Sequence, residues 1–90
     1  MVTCFYKKTF LKDLSHLPEK YRETIERLVF HEIPERESLF NLNDIRKIKG
    51  TQTRYRIRVG RYRIGFALRS DGSVVFCRVK SREEIYSVFP

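Results

Sequence analysis

Cysteine, proline and glycine are all scarce in this 90-residue sequence, at two, three and four copies, and tryptophan is absent. Ninety residues suffice for one small domain, residues 1–90, with a modest core. So few prolines and glycines beside 41% hydrophobic residues exclude a disordered chain. Cys4 and Cys77 each lie in an apolar, strand-like stretch, which predicts two free buried thiols and a reducing cytoplasm rather than a disulfide scaffold. With only His16 and His31 beside them at unrelated spacings, no zinc pattern forms, and neither a metal nor another cofactor is expected. No apolar run nears the length of a membrane span, and no charged-then-apolar leader is visible. The expectation is a soluble, cytoplasmic protein without a membrane partner.

Acidic residues are missing from one half only. Between Arg46 and Arg82 there are twelve Lys and Arg against a single acid, Asp71, whereas the first 45 residues are nearly balanced. The net charge of +8 is therefore concentrated in the second half. A one-signed patch on a small protein suits a polyanion: nucleic acid, an acidic protein segment or anionic lipid.

Periodicity places this patch on a sheet. "MVTCFYK" reads as a short strand. Thr9 offers an N-cap for a helix with Phe10, Leu11 and Leu14 on one face. Pro18 opens a second helix whose stripe is Tyr21, Ile25, Leu28 and Val29, and which should stop before Pro34. "ERESLFNLNDIRKIKG" reads as an irregular connector that covers an edge of the core with Leu39, Phe40, Leu42, Ile45 and Ile48. Three strands follow, separated by turns at Gly60-Arg61 and Asp71-Gly72. "SREEIYSVF" closes the chain with one or two helical turns. The fold class is thus α+β: an N-terminal strand and a helical hairpin packed on a twisted, mainly antiparallel sheet, with a short C-terminal helix.

A turn at Gly60-Arg61 sets Val59 opposite Tyr62, Ile57 opposite Ile64 and Tyr55 opposite Phe66, all apolar and all on one side. The other side then pairs Arg58 with Arg63, Arg56 with Gly65 and Arg54 with Ala67. A two-residue turn at Asp71-Gly72 would pair Phe66 with Cys77, Ala67 with Phe76, Gly65 with Arg78 and Arg63 with Lys80. Arg58, Arg63 and Lys80 would then stand in one row spanning roughly 10 Å. Gly65 and Ala67 would floor a shallow hollow, with Phe76 at its margin for stacking. Like charges directly opposed cost on the order of tenths to 1 kcal/mol per pair. Such a face either splays its cations into water or awaits phosphates, whose counterions leave on binding.

No Ser-His-Asp set is present, and both histidines fall in the helical half. Tyr86 follows Lys80 by six residues and Arg82 by four, where the chain turns back over a strand end. It could pack over the sheet edge, or, with cations favouring its phenolate, move a proton. Lys80, if desolvated, could do the same, while arginine clamps charge on a phosphorane.

The run "KIKG…YRIRVGRYRIGF…DGSVVFCRVKSREEIY" resembles the RelE/ParE superfamily of toxins from type II toxin-antitoxin systems. The C-terminal half carries the likeness, and the preceding strand and hairpin stand in the right order. The resemblance implies a RelE-like endoribonuclease that cuts mRNA on the ribosome, by metal-independent attack of a ribose 2′-oxygen, and that a cognate antitoxin neutralises. It places the site on Arg56, Arg58, Arg63, Lys80 or Arg82, and Tyr86. Together with the cations of the same face, the expected catalytic set is Arg63, Lys80, Arg82 and Tyr86, and the expected RNA-binding set is Arg54, Arg56, Arg58, Arg61 and Arg78. Acid and base roles among Lys80, Arg82 and Tyr86 stay open. Ser81 stands where relatives often have histidine, and Arg61 where an acid or small polar residue is common. ParE-like relatives implied by the same scaffold poison DNA gyrase. An inactive relative that only binds antitoxin or nucleic acid is the third possibility.

Overall fold

The computed structural model describes residues 1–90. Strand β1 (Cys4–Tyr6) leads into helices α1 (Lys8–Ser15) and α2 (Glu19–Arg27); α2 runs on through a π turn (Leu28–Glu32) into α3 (Ile33–Glu35). Strands β2 (Ile45–Lys47), β3 (Arg54–Val59), β4 (Tyr62–Leu68) and β5 (Val74–Ser81) follow, then helix α4 (Arg82–Val88). The sheet order is β1-β5-β4-β3-β2, with β1 parallel to β5 and every other pair antiparallel.

The alternation of side chains in β3, β4 and β5 gives the sheet two faces. One packs against the helical hairpin: Ile57, Ile64, Phe66, Val74, Phe76 and Val79 meet Phe10, Leu14, Ile25, Val29 and Ile33, all buried. Burying each of these large side chains contributes about 1.5–3 kcal/mol, so this face carries most of the stability. The other face holds a smaller cluster, in which Ile48, Ala67, Val75 and Cys77 meet Ile85 and Phe89 from the chain's end.

The β3–β4 pairing matches the sequence register at all six positions, from Arg54–Ala67 to Val59–Tyr62. Gly60 turns the chain at φ 57°, a conformation that costs glycine little. The β4–β5 pairing matches only toward its far end, at Arg63–Lys80, Ile64–Val79 and Gly65–Arg78. Nearer the turn, Phe66 faces Phe76, Ala67 faces Val75 and Leu68 faces Val74. The connection is three residues, closed by Arg69 N–H to the Ser73 carbonyl, and its central Asp71 carboxylate accepts from the Ser73 N–H and hydroxyl. That shifts the register by one, and a bulge at Cys77 shifts it back. Phe76 is consequently fully buried beneath the helices, not at the margin of the basic face.

Three local expectations also change. Thr9 lies inside α1, which starts one residue earlier, and its hydroxyl donates to the Cys77 carbonyl at 2.9 Å. The connector contains β2, paired antiparallel to β3 with Arg46 opposite Arg56. The second helix continues through Pro34. There the Ile33 N–H donates to the Leu28 carbonyl, five residues back, rather than to Val29. A π pattern would pair the Val29 carbonyl with residue 34, a proline without an N–H. The Tyr6 hydroxyl donates to that carbonyl instead, at 2.6 Å.

Candidate nucleic-acid site

α4 starts where β5 ends and returns across the second face of the sheet. Ser81 caps it: its hydroxyl accepts from the Glu84 N–H and donates to the Glu84 carboxylate at 2.9 Å, a reciprocal capping pair. Glu83 and Glu84 in the first turn suit the positive end of the helix. Arg82 and Tyr86 are four residues apart and so share one side of α4. Ile85, fully buried, is the neighbouring anchor.

That side of α4 forms one wall of a cleft of about 430 Å³ lined by Asp44, Arg46, Lys47, Arg56, Arg58, Arg63, Arg82 and Tyr86. The Arg56 guanidinium lies over the Tyr86 ring, 4.5 Å from its centroid. Hydrogen bonding and charge from Arg56, supported by Arg82, hold the Tyr86 phenol below its usual value against a smaller opposing effect of desolvation. The tyrosine is 61% exposed, so it is not packing over the sheet edge; its hydroxyl is available to a ligand.

The cations of the cleft are arranged differently from a free row. Arg58 donates to the Asp44 carboxylate at 2.8 Å, and its N–H donates to the Asp44 carbonyl. Both side chains are largely exposed, which keeps this pair near 0–1 kcal/mol, and a phosphate could replace it. Arg63 turns one amino group onto the carbonyls of Gly60 and Tyr62, each at 2.9 Å, which fixes its guanidinium beside the hairpin.

Lys80 and Arg78 leave the face altogether. Both reach around the β5 edge to Asp13 on α1: Arg78 Nε is 2.6 Å from Asp13 Oδ2, and Lys80 Nζ is 3.5 Å from Oδ1. The Val79 N–H also donates to Oδ2. Burial pushes the Asp13 carboxyl up, but the Arg78 hydrogen bond, the Val79 N–H and the two cations outweigh it and leave the carboxyl below its ordinary value.

The structure thus gathers Arg56, Arg58, Arg63, Arg82 and Tyr86 in one place. It does not gather Lys80 or Arg78, which are held by Asp13, nor Arg54, which borders a separate cleft with Lys7 and Arg69. Arg61 is exposed at the hairpin tip and outside the cleft lining. Arg46 and Lys47 belong to the basic excess of the sequence, where alternation gives them no position; strand β2 delivers both to the cleft. The glycine-floored hollow is not open either. The Phe89 ring fills it.

Strand order, a helical hairpin on one face and a terminal helix bearing arginine and tyrosine over a cationic cleft on the other define a small α+β domain with one polyanion-suited site. Residues 5–86 match the family described as the ParE toxin of type II toxin-antitoxin system, parDE. The chain is 46% identical over 86 residues to Toxin RelE3 of Methanocaldococcus jannaschii, covering 94% of this chain and 96% of that protein. The toxin in the crystal structure of a RelB-RelE antitoxin-toxin complex from Methanococcus jannaschii superposes with a TM-score of 0.79 at 46% identity, over 96% of this chain and 99% of that one. The toxin-antitoxin complex RelBE2 of Mycobacterium tuberculosis contains the same fold, with a TM-score of 0.71 at 22% identity over 90% and 98% of the two chains. The chain belongs to the RelE/ParE superfamily of type II toxin-antitoxin toxins.

Proposed function

We propose that the protein is a RelE-like endoribonuclease that cleaves mRNA on the ribosome and is neutralised by a cognate antitoxin. The observation that carries this reading is the Tyr86 phenol, exposed and lying beneath Arg56 at the mouth of a cleft with Arg82, Arg63 and Arg58. A phenol whose anion is favoured can take the proton of a ribose 2′-hydroxyl. The 2′-oxygen then attacks the adjacent phosphorus, the P–O5′ bond breaks, and the departing 5′-oxygen takes a proton from solvent water, giving a 2′,3′-cyclic phosphate and a 5′-hydroxyl. Arg63 and Arg58 hold the scissile phosphate and its neighbour, Arg56 poises the phenol, and Arg82 balances charge on the departing 5′-oxygen. Lys80, paired with Asp13, is not assigned the proton transfer.

Antitoxin binding draws support from the 46% identical toxin seen in complex with RelB. Primer-extension mapping of mRNA in a reconstituted translation system tests the reading. Wild type should produce discrete ribosome-dependent cuts that Tyr86→Phe and Arg63→Ala abolish. Because the matching family is described as a ParE toxin, the second reading is gyrase inhibition. Intact translated mRNA together with blocked DNA supercoiling would select that reading and end the first.

A further inference from the structure

Gly65 pairs with Arg56 on one side and Arg78 on the other, so it sits in the row of the sheet directly beside the arginine that touches Tyr86. Its φ is not in the left-handed region, and nothing in its backbone requires glycine. Space requires it. A Cβ at this position would lie 2.5–2.8 Å from three atoms of the Phe89 ring, far inside van der Waals contact. Phe89 is 5% exposed, and its N–H donates to the Ile85 carbonyl at 2.9 Å, one turn back along α4. Ile85 and Phe89 are therefore the two feet of α4 on the sheet, and Tyr86 lies between them, held by neither and touching Arg56. Glycine is a weak choice inside a strand, where it adds no packing and loses much entropy.

We infer that Phe89, seated on Gly65, is a positioning residue that sets the height of α4 above the sheet and so holds Tyr86 against Arg56. Adding one methyl at position 65 pushes the ring outward. Either α4 rises with it, or the ring swings into solvent and the helix loses a foot. Both separate Tyr86 from Arg56 while leaving the sheet-borne cations of β3 and β4 in place. The role in catalysis rests on the proposed ribonuclease reading; the role in placing Tyr86 does not.

The test is nuclear magnetic resonance titration of tyrosine labelled with ¹³C at Cζ, with the Tyr86 signal assigned by its loss in Tyr86→Phe, run beside single-turnover cleavage. In Gly65→Ala the Tyr86 transition should move up toward the ordinary tyrosine value of about 10. The cleavage rate constant should fall at least about tenfold with little change in KM, since substrate phosphates meet strand residues. Gly65→Ala combined with Phe89→Ala should be no worse than Phe89→Ala alone, because the Cγ, Cδ2 and Cε2 atoms that the methyl would meet are then gone. Phe89→Ala alone leaves the sheet untouched and should mimic Gly65→Ala, which decides the matter if Gly65→Ala folds poorly. Wild-type Tyr86 titration in Gly65→Ala or Phe89→Ala, or effects of the two substitutions that simply add in the double variant, overturns the inference. A Tyr86 signal that responds as expected in a protein that never cuts RNA would remove the ribonuclease reading and leave the positioning intact.

Discussion

Arg78 on β5 and Asp13 on α1, 65 residues apart in sequence, meet through two hydrogen bonds of 2.6 and 3.1 Å at the edge of the sheet. Asp13 is 5% exposed and takes the Val79 N–H as well, so this one carboxylate seals a stretch of β5 that the short β1 leaves unpaired. It also withdraws two cations from a face where Arg63 and Lys80 would otherwise repel each other.

Asp13→Asn should be strongly destabilising for that reason. Removing one partner of a buried ion pair costs about 3–5 kcal/mol, and the partly exposed Arg78 places this case near the lower end. The pH signature is specific. The folded-state pKa of Asp13 is depressed, so its contribution is complete above the unfolded value of about 3.9 and is lost as pH falls below that value through the folded one. Urea midpoints taken from pH 6 down to pH 2 should fall more steeply in wild type than in Asp13→Asn. Parallel curves would show that the pair contributes nothing.

The cleft separates two groups of cations that look alike in the sequence. Arg54 and Arg61 lie outside it, whereas Arg46 and Lys47 line it. Alanine at Arg54 or Arg61 should leave ribosome-dependent cleavage within about twofold. Alanine at Arg46 or Lys47 should weaken binding and lower the slope of log affinity against log salt by about 1 for each phosphate that is no longer neutralised. Binding titrations of the four variants at three salt concentrations measure the difference. Equal effects across the four would mean that the whole basic surface, and not the cleft, meets the RNA.

Much of this layout is legible from alternation alone. The apolar sides of β3 and β4 admit one register, and it brings Arg58 beside Arg63 and Arg56 beside Gly65. What escapes is set by contacts distant in sequence or by departures from regular pairing. Strand β2 spans three residues at the sheet edge, too short for alternation to register. The three-residue turn reverses the expected facing of Val74 to Cys77, and the bulge at Cys77 restores it from Arg78 onward. No local signal marks Asp13 as the partner of Arg78 and Lys80, because its spacing within α1 suits any polar residue. Pro34 would ordinarily end a helix; a π turn and the hydroxyl of Tyr6 allow it to continue.

Tyr86→Phe should reduce the cleavage rate about 10²–10⁴-fold, the range that a positioned proton-transfer group supplies, whereas Lys80→Ala should cost less than about tenfold. The sign of the pH dependence follows from the phenol. A base must be deprotonated, and Arg56 lowers the Tyr86 pKa, so the rate should rise with pH and level off below the ordinary tyrosine value. Arg56→Ala should shift that plateau upward. Single-turnover rates on a preformed ribosome–mRNA complex measure both. A rate independent of pH in wild type would remove Tyr86 from the proton transfer.

Tyr6 carries the last prediction, which concerns the fold and not the cleft. Its hydroxyl is the partner of a Val29 carbonyl that neither Ile33 nor Pro34 serves. Tyr6→Phe keeps the ring contacts with Phe30 and Phe76 and removes only the donor. The buried carbonyl left behind should cost about 1–3 kcal/mol. Burial, then the charge and hydrogen bond of nearby Cys4, push the Tyr6 phenol up to about 12. With a folded-state value above the unfolded one near 10, the phenol's contribution is present in full below pH 10 and drains away as pH rises toward 12. Denaturant midpoints at pH 8, 10 and 11 should therefore converge for wild type and Tyr6→Phe as pH rises, because the variant has no phenol to ionise. A constant difference between the two across that range would mean that the Tyr6 hydroxyl is not held out of water by the turn around Val29.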